Sequence, residues 1–103
     1  MAIMEVKILP LGTKSASVCE HIVNAVKVLK RNKIKCGLTS MGTIVEGKSA
    51  EKLLSLAGKM HKAALAKVDR VVTFIELDER TDKKSTIKSK LRSVKERLKY
   101  STL

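Results

Sequence analysis

Thr39-Ser40-Met41-Gly42-Thr43-Ile44-Val45-Glu46-Gly47 reads as the end of one strand, a tight turn at Met41-Gly42, and a second strand closed by a carboxylate and a glycine. Two β-rich runs either side of a glycine-containing turn predict a hairpin. Its chemistry is unusual, with three hydroxyls, a thioether and an acid where a plain hairpin carries Val and Ile. Polar groups held on rigid strands are what a small-molecule site needs. The same residues also describe a solvated hairpin face.

Working outward, the strand before the turn spans 34–40 and the one after it 43–47. Upstream, residues 2–9 alternate, with Met4, Val6 and Ile8 on one side and Ile3, Glu5, Lys7 and Leu9 on the other. Period two with β-branched residues is a strand, ended here by Pro10 and Gly12. A helix follows: Ser17 and Glu20 fit a capping box, and Val18, Ile22, Ala25, Val26 and Leu29 keep one side apolar until about Arg31-Asn32. The loop containing Gly12, Thr13, Lys14, Ser15 and Ser17 could hold an anion on free backbone N–H groups, or simply cap the helix. It has neither phosphate-loop spacing nor a dinucleotide fingerprint.

Downstream, Ser49 caps a second helix running to about Lys67, with Leu53, Leu54, Ala57, Met60, Ala64 and Val68 as its inner face. Residues 70–78 form the strongest strand, with Val71, Thr73, Ile75 and Leu77 opposite Val72, Phe74, Glu76 and Asp78. After a charged turn, Ser85 or Thr86 starts a last helix with Ile87, Leu91, Val94 and Leu98 as a narrow apolar stripe. A stripe so narrow suits a helix lying on one surface, either its own sheet or a neighbouring subunit.

The order β-α-β-β-α-β plus a helix is the split βαβ, or ferredoxin-like, motif. It predicts an α+β chain with one antiparallel sheet in the order 4-1-3-2 and both main helices on one face. Residues 1–103 form a single domain, with 1–80 the core and 81–103 a C-terminal helical extension. Each strand has apolar residues on both sides, so the uncovered face predicts association with further copies, sheet against sheet.

At 103 residues there is room for one modest core, and 44% apolar content is ordinary while 2% aromatic is low. Net charge is +12, from 22 basic and 10 acidic residues, with the excess concentrated after Arg80 and around Lys27 to Lys35. The strands instead carry acids: Glu5, Glu46, Glu76 and Asp78. Cys19 and Cys36 form no C-x-x-C pair and read as two buried thiols in a reducing compartment. Glu5 and Lys7 interrupt any secretory apolar segment, and no run approaches a membrane span, so the expectation is cytoplasmic. His21 and His61 lack partners at ligand spacing, so no metal site and no Cys–His nucleophile is expected. No cofactor loop is visible either, and the expectation is a binding protein and not an enzyme.

These residues resemble a known family. Glu5-Val6, Pro10-Leu11-Gly12-Thr13 with Ser15 and Ser17, Met41-Gly42-Thr43 with Glu46-Gly47, Arg70-Val71-Val72-Thr73, and Arg80-Thr81-Asp82-Lys83 occur in order over nearly the whole chain. Together they resemble the small archaeal and bacterial thiamine-binding protein family, related to the YkoF thiamine/hydroxymethylpyrimidine-binding proteins. The resemblance implies a homotetramer, a dimer of dimers, that reversibly binds thiamine or its hydroxymethylpyrimidine half. Lys14 and the heavily basic tail exceed the family's pattern.

An aminopyrimidine offers a donor amine beside ring-nitrogen acceptors, so a carboxylate and hydroxyls can pair with it. Glu5, Glu46 and Glu76 are the candidate acids, Thr39, Thr43 and Thr73 the hydroxyls, and Met41 beside Gly42 an adaptable wall. Strand alternation sends Thr43 and Glu46 to opposite faces. Thr13, Ser15, Ser17, Arg80 and Asp82 are candidates for anion or interface contacts, with a surface ion pair as the plain alternative for the last two. Two other readings share the topology. An RNA-binding domain fits the charge, but such domains stack bases on central-strand aromatics, and 43–47 has none. An ACT-like regulatory module also binds small molecules between such subunits, usually beside an enzyme domain that is missing from this sequence.

Overall fold

The alternation of β1 (Ala2–Leu11) decides the layering, because Ala2, Met4 and Val6 are buried while Ile3, Glu5 and Lys7 are not. The computed structural model describes residues 1–14 and 19–99. After β1 come α1 (Cys19–Arg31), β2 (Cys36–Leu38), β3 (Thr43–Gly47), α2 (Ala50–Ala64), a 3-10 turn (Leu65–Lys67), β4 (Arg70–Glu79) and α3 (Ile87–Lys99). The strands form one sheet in the order β2-β3-β1-β4, all pairs antiparallel. Read from the other edge this is 4-1-3-2, the ferredoxin-like order.

Register sets the two faces. Met4 stands opposite Val45 and Leu77, and Val6 opposite Thr43 and Ile75, so these share the face under the helices. The core is built from Met4, Val6, Val45, Leu29, Leu53 and Met60, all essentially without solvent contact. The inner face of α2 is Leu53, Leu56, Ala57, Met60 and Ala64, and Leu54 is 46% exposed. The buried face is therefore rotated by part of a turn from the expected one: Leu54 and Leu56 are both apolar, and only packing into the core selects between them. On α1, Val28 joins Ala25 and Leu29 in the core, whereas Cys19, expected to be buried, is exposed at the helix's first position and Cys36, at the start of β2, is only half-buried. β2 is shorter than 34–40, although Lys35 still accepts from the Glu46 N–H at 3.1 Å.

The element ends explain themselves chemically. Helix α1 closes with Ile34 N–H donating to Leu29 O and Lys33 N–H to Lys30 O, which places Lys33 at φ 53. Ser49 caps α2 by accepting from Lys52 N, and the Glu79 carboxylate accepts from Ala50 N at 2.7 Å. Thr86 and Ser89 cap α3 reciprocally, each hydroxyl accepting from the other's N–H at 3.0 and 2.9 Å. The capping box placed at Ser17, with Ser15 and Val18, lies outside the described residues.

The second sheet face carries Ile3, Glu5, Lys7 and Leu9 of β1, Ile44 and Glu46 of β3, and Val72, Phe74, Glu76 and Asp78 of β4. No helix layer covers it: Phe74 is 55% and Leu9 46% exposed. Helix α3 is fastened there only by its first turn, where Ile87 N–H donates to Glu46 Oε2 at 2.8 Å and Lys90 pairs with Asp78. From Leu91 to Lys99 every residue is exposed. The radius of gyration, 15.5 Å, accordingly exceeds the roughly 13 Å of a compact chain this long.

Candidate functional site

Strand lengths create the site. β1 pairs with β4 as far as Leu11 with Arg70, whereas its pairing with β3 stops at Val6 with Thr43. From Lys7 onward the β3 side of β1 has no neighbouring strand among the described residues. The gap is walled by Ile22, Ala25 and Val26 of α1, by Met60 of α2, and by the turn from Leu38 to Gly42. Together with Val6 to Leu9, Thr43 and Phe74 these enclose an open-sided cleft of about 430 Å³. An unpaired strand edge presents backbone N–H and C=O groups alternately, as main-chain recognition of a ligand requires.

The turn is rigid for a local reason. The Thr39 hydroxyl accepts from Gly42 N at 2.9 Å and Met41 N at 3.2 Å, and donates to Gly42 O at 2.8 Å. The Thr39 N–H donates to the same carbonyl at 2.9 Å. Gly42 must be small, because a Cβ there would lie 3.1 Å from Lys7 Cγ and 3.2 Å from Val6 O. This clamp leaves Met41 projecting at the rim, 76% exposed, and Thr43 in the floor, 6% exposed. Lys7 is the one charged residue lining the cleft, and Glu5 holds it in an ion pair of 3.3 Å.

Thr39, Met41, Gly42 and Thr43 thus share one cleft. The other sequence candidates stand apart. Glu5 is on the opposite face of β1, in a shallower hollow with Lys7, Phe74 and Glu76. Glu46 faces away from Thr43, as alternation required, and its carboxylate is engaged by Ile87 N and Lys35. The Thr73 hydroxyl meets His61 Nδ1 at 2.6 Å, linking β4 to α2. Thr13 lines a separate hollow with Lys14, His21 and Lys67, and Ser15 and Ser17 are outside the described residues.

Arg80 and Asp82 lie at the far end of the sheet, where Arg80 N–H donates to Met1 O. Two parallel bonds of 2.7 and 2.5 Å join their side chains. The Arg80 hydrogen bond holds the Asp82 carboxyl down at about 2, against an ordinary 3.8.

The cleft's apolar walls were not singled out from sequence. Ile22, Ala25 and Val26 repeat at helical spacing and read as core. Ile22 and Val26 become half-exposed walls where β3 ends early, while Ala25 stays fully buried. Phe74, the lone strand aromatic, was the available signal. Among the described residues no group of His, Cys, Asp and Glu could hold a metal ion, and no helix is long and apolar enough to cross a membrane.

Fold and cleft together define a small ferredoxin-like α+β protein with a ligand-sized notch at a strand edge. The chain belongs to the thiamine-binding protein family, whose model matches residues 4–95. The UPF0045 protein MJ1052 of Methanocaldococcus jannaschii is 39% identical over 94 residues, 91% of this chain and 92% of that one. Its crystal structure superposes with a TM-score of 0.83, covering 92% of this chain and 96% of that one. The UPF0045 protein YqgV of Bacillus subtilis is 39% identical over 103 residues, 95% of this chain and 98% of that one. A Thermotoga maritima protein provisionally assigned to thiamine biosynthesis or salvage shares the fold, with a TM-score of 0.77 at 18% identity over 90% of this chain and 97% of that one.

Proposed function

We propose that this chain reversibly binds thiamine or its hydroxymethylpyrimidine half, without catalysis, in the cleft between α1 and the turn at Gly42. The observation that carries the reading is the unpaired edge of β1 beyond Val6, inside an apolar notch, in a member of a thiamine-binding family. The aminopyrimidine's amine and ring nitrogen match alternating backbone carbonyl and N–H groups, while its flat ring packs between Met41, Met60 and Ile22. Thr43 adds a hydroxyl from the floor. A thiazolium cation would leave the notch past Met41, and Glu5 offsets the charge of Lys7 nearby.

The protein is a homotetramer in this reading, a dimer of dimers. Two surfaces support it: the uncovered sheet face, and the free edge of β4, where Phe74, Ile75 and Leu77 are all more than a third exposed. Cytoplasmic residence accords with two free thiols.

Titration calorimetry with thiamine, its phosphates and hydroxymethylpyrimidine tests the ligand. One site per chain is expected, and Thr43→Ala should weaken binding about tenfold, the loss of one hydrogen bond. Heat from an amino-acid series, with none from any pyrimidine, would instead establish the ACT-like alternative.

A further inference from the structure

The geometry points to the uncovered sheet face of one copy as the seat of α3 from a second copy, its apolar stripe on the sheet and its basic flank on the acids of β1 and β4. This rests on the self-association proposed above and deepens it, and it does not depend on the ligand; a monomeric wild type would overturn both, whereas a Val94→Asp chain that assembles normally overturns only the α3 contact.

The argument begins with α3 alone. A helix of 13 residues is marginal in water without tertiary packing. Yet Leu91, Val94 and Leu98 remain 53%, 58% and 50% exposed, and no residue of the helix is buried. Among the described residues nothing covers the stripe. At 100° per residue Lys88, Arg92, Lys95 and Lys99 line one side of that stripe, so a complementary surface has to be apolar and acidic together.

The open sheet face has that character. Glu5 stands directly opposite Glu76 across the β1–β4 pair, whereas Asp78, opposite Ile3, is already held by Lys90 of its own chain. Like charges directly opposite are unfavourable, and only Lys7 pairs with Glu5. Ile3, Leu9 and Phe74 surround the acids on the same face.

Dimensions agree. α3 is about 20 Å long and about 10 Å wide, against two strands about 4.8 Å apart and about 33 Å long. The helix leaves its own sheet from the Glu46 and Asp78 end, so a two-fold axis lets each copy cover the other. The sequence expectation set sheet against sheet, and α3 supplies the layer between them.

The test is a charge exchange read by sedimentation, without ligand. The wild-type chain should sediment at twice 11.4 kDa or a higher multiple, and lose helix content by circular dichroism when diluted to monomer. E5K/E76K makes both surfaces basic, and K88E/R92E/K95E/K99E, which reverses the whole flank, makes both acidic. Each variant alone should dissociate at least tenfold more readily than wild type. Mixed in equal amounts, they should reassociate, because both contacts are then complementary. Val94→Asp, a substitution on an exposed helix face, should dissociate the wild-type assembly and leave the folded core intact. A monomeric wild type overturns the proposal, even one that gains helix on anionic vesicles. So does a Val94→Asp chain that assembles normally, or a mixture of the two charge variants that stays apart.

Discussion

Gly42 is the residue on which the cleft turns, because the β3 turn can approach β1 only where no side chain intervenes. Gly42→Ala would press a methyl against Val6 O at 3.2 Å and Lys7 Cγ at 3.1 Å. It should cost about 1 kcal/mol, and Gly42→Val about 3 kcal/mol, by overpacking. Thermal melts measure the cost, and the same shift of the turn should weaken pyrimidine binding in calorimetry. Asp82 makes a separate prediction. Its folded pKa is about 2 against an ordinary 3.8, so the unfolded chain binds the proton more tightly. The group therefore favours the folded state above 3.8, and that contribution fades as pH falls through 3.8 and is gone below about 2. A carboxyl NMR titration should place Asp82 near 2, and Arg80→Ala should return it toward 3.8.

At the scale of elements, α3 is attached through two carboxylates, Asp78 on the Lys90 side chain and Glu46 on the helix's own first turn. Glu46 accepts from Ile87 N at 2.8 Å and is only 9% exposed, so it satisfies an end that the helix cannot satisfy itself. Glu46→Ala should cost about 1 to 2 kcal/mol as a lost cap and raise hydrogen exchange in α3 before it does in the sheet. Removal of Glu46 should leave pyrimidine affinity nearly unchanged, since its carboxylate lies on the face away from Thr43. Helix α1 ends with the opposite problem, a lysine in the left-handed region at φ 53. Lys33→Gly relieves a strain of about 1 to 2 kcal/mol, partly offset by glycine's greater unfolded entropy. A net gain of about 0.5 kcal/mol should appear as a higher melting temperature.

For the whole molecule, charge and shape pull apart. A net charge of +12 on 103 residues repels itself, whereas the acids of the open face are confined to strands. Salt should therefore raise the melting temperature of monomeric variants such as Val94→Asp by several degrees between about 10 mM and 150 mM, as the Debye length falls to about 8 Å. Assembled wild type should gain less, because its basic helix already faces the partner's acids. Differential scanning calorimetry of both chains at two salt concentrations compares the effects.

Element order, sheet order and the Thr43/Glu46 alternation were legible in sequence, because each follows from local periodicity and from turn residues. The Ser49 cap and the Met41-Gly42 turn were equally legible, being contacts within a few positions. Tertiary structure alone decided that Leu56 and not Leu54 is buried, that Glu46 holds the first turn of α3, and that α1 walls a notch. Each depends on where a strand ends relative to its neighbour, or on which of two apolar residues a distant surface meets. A linear pattern records that a residue prefers burial, and only the packed chain determines what buries it.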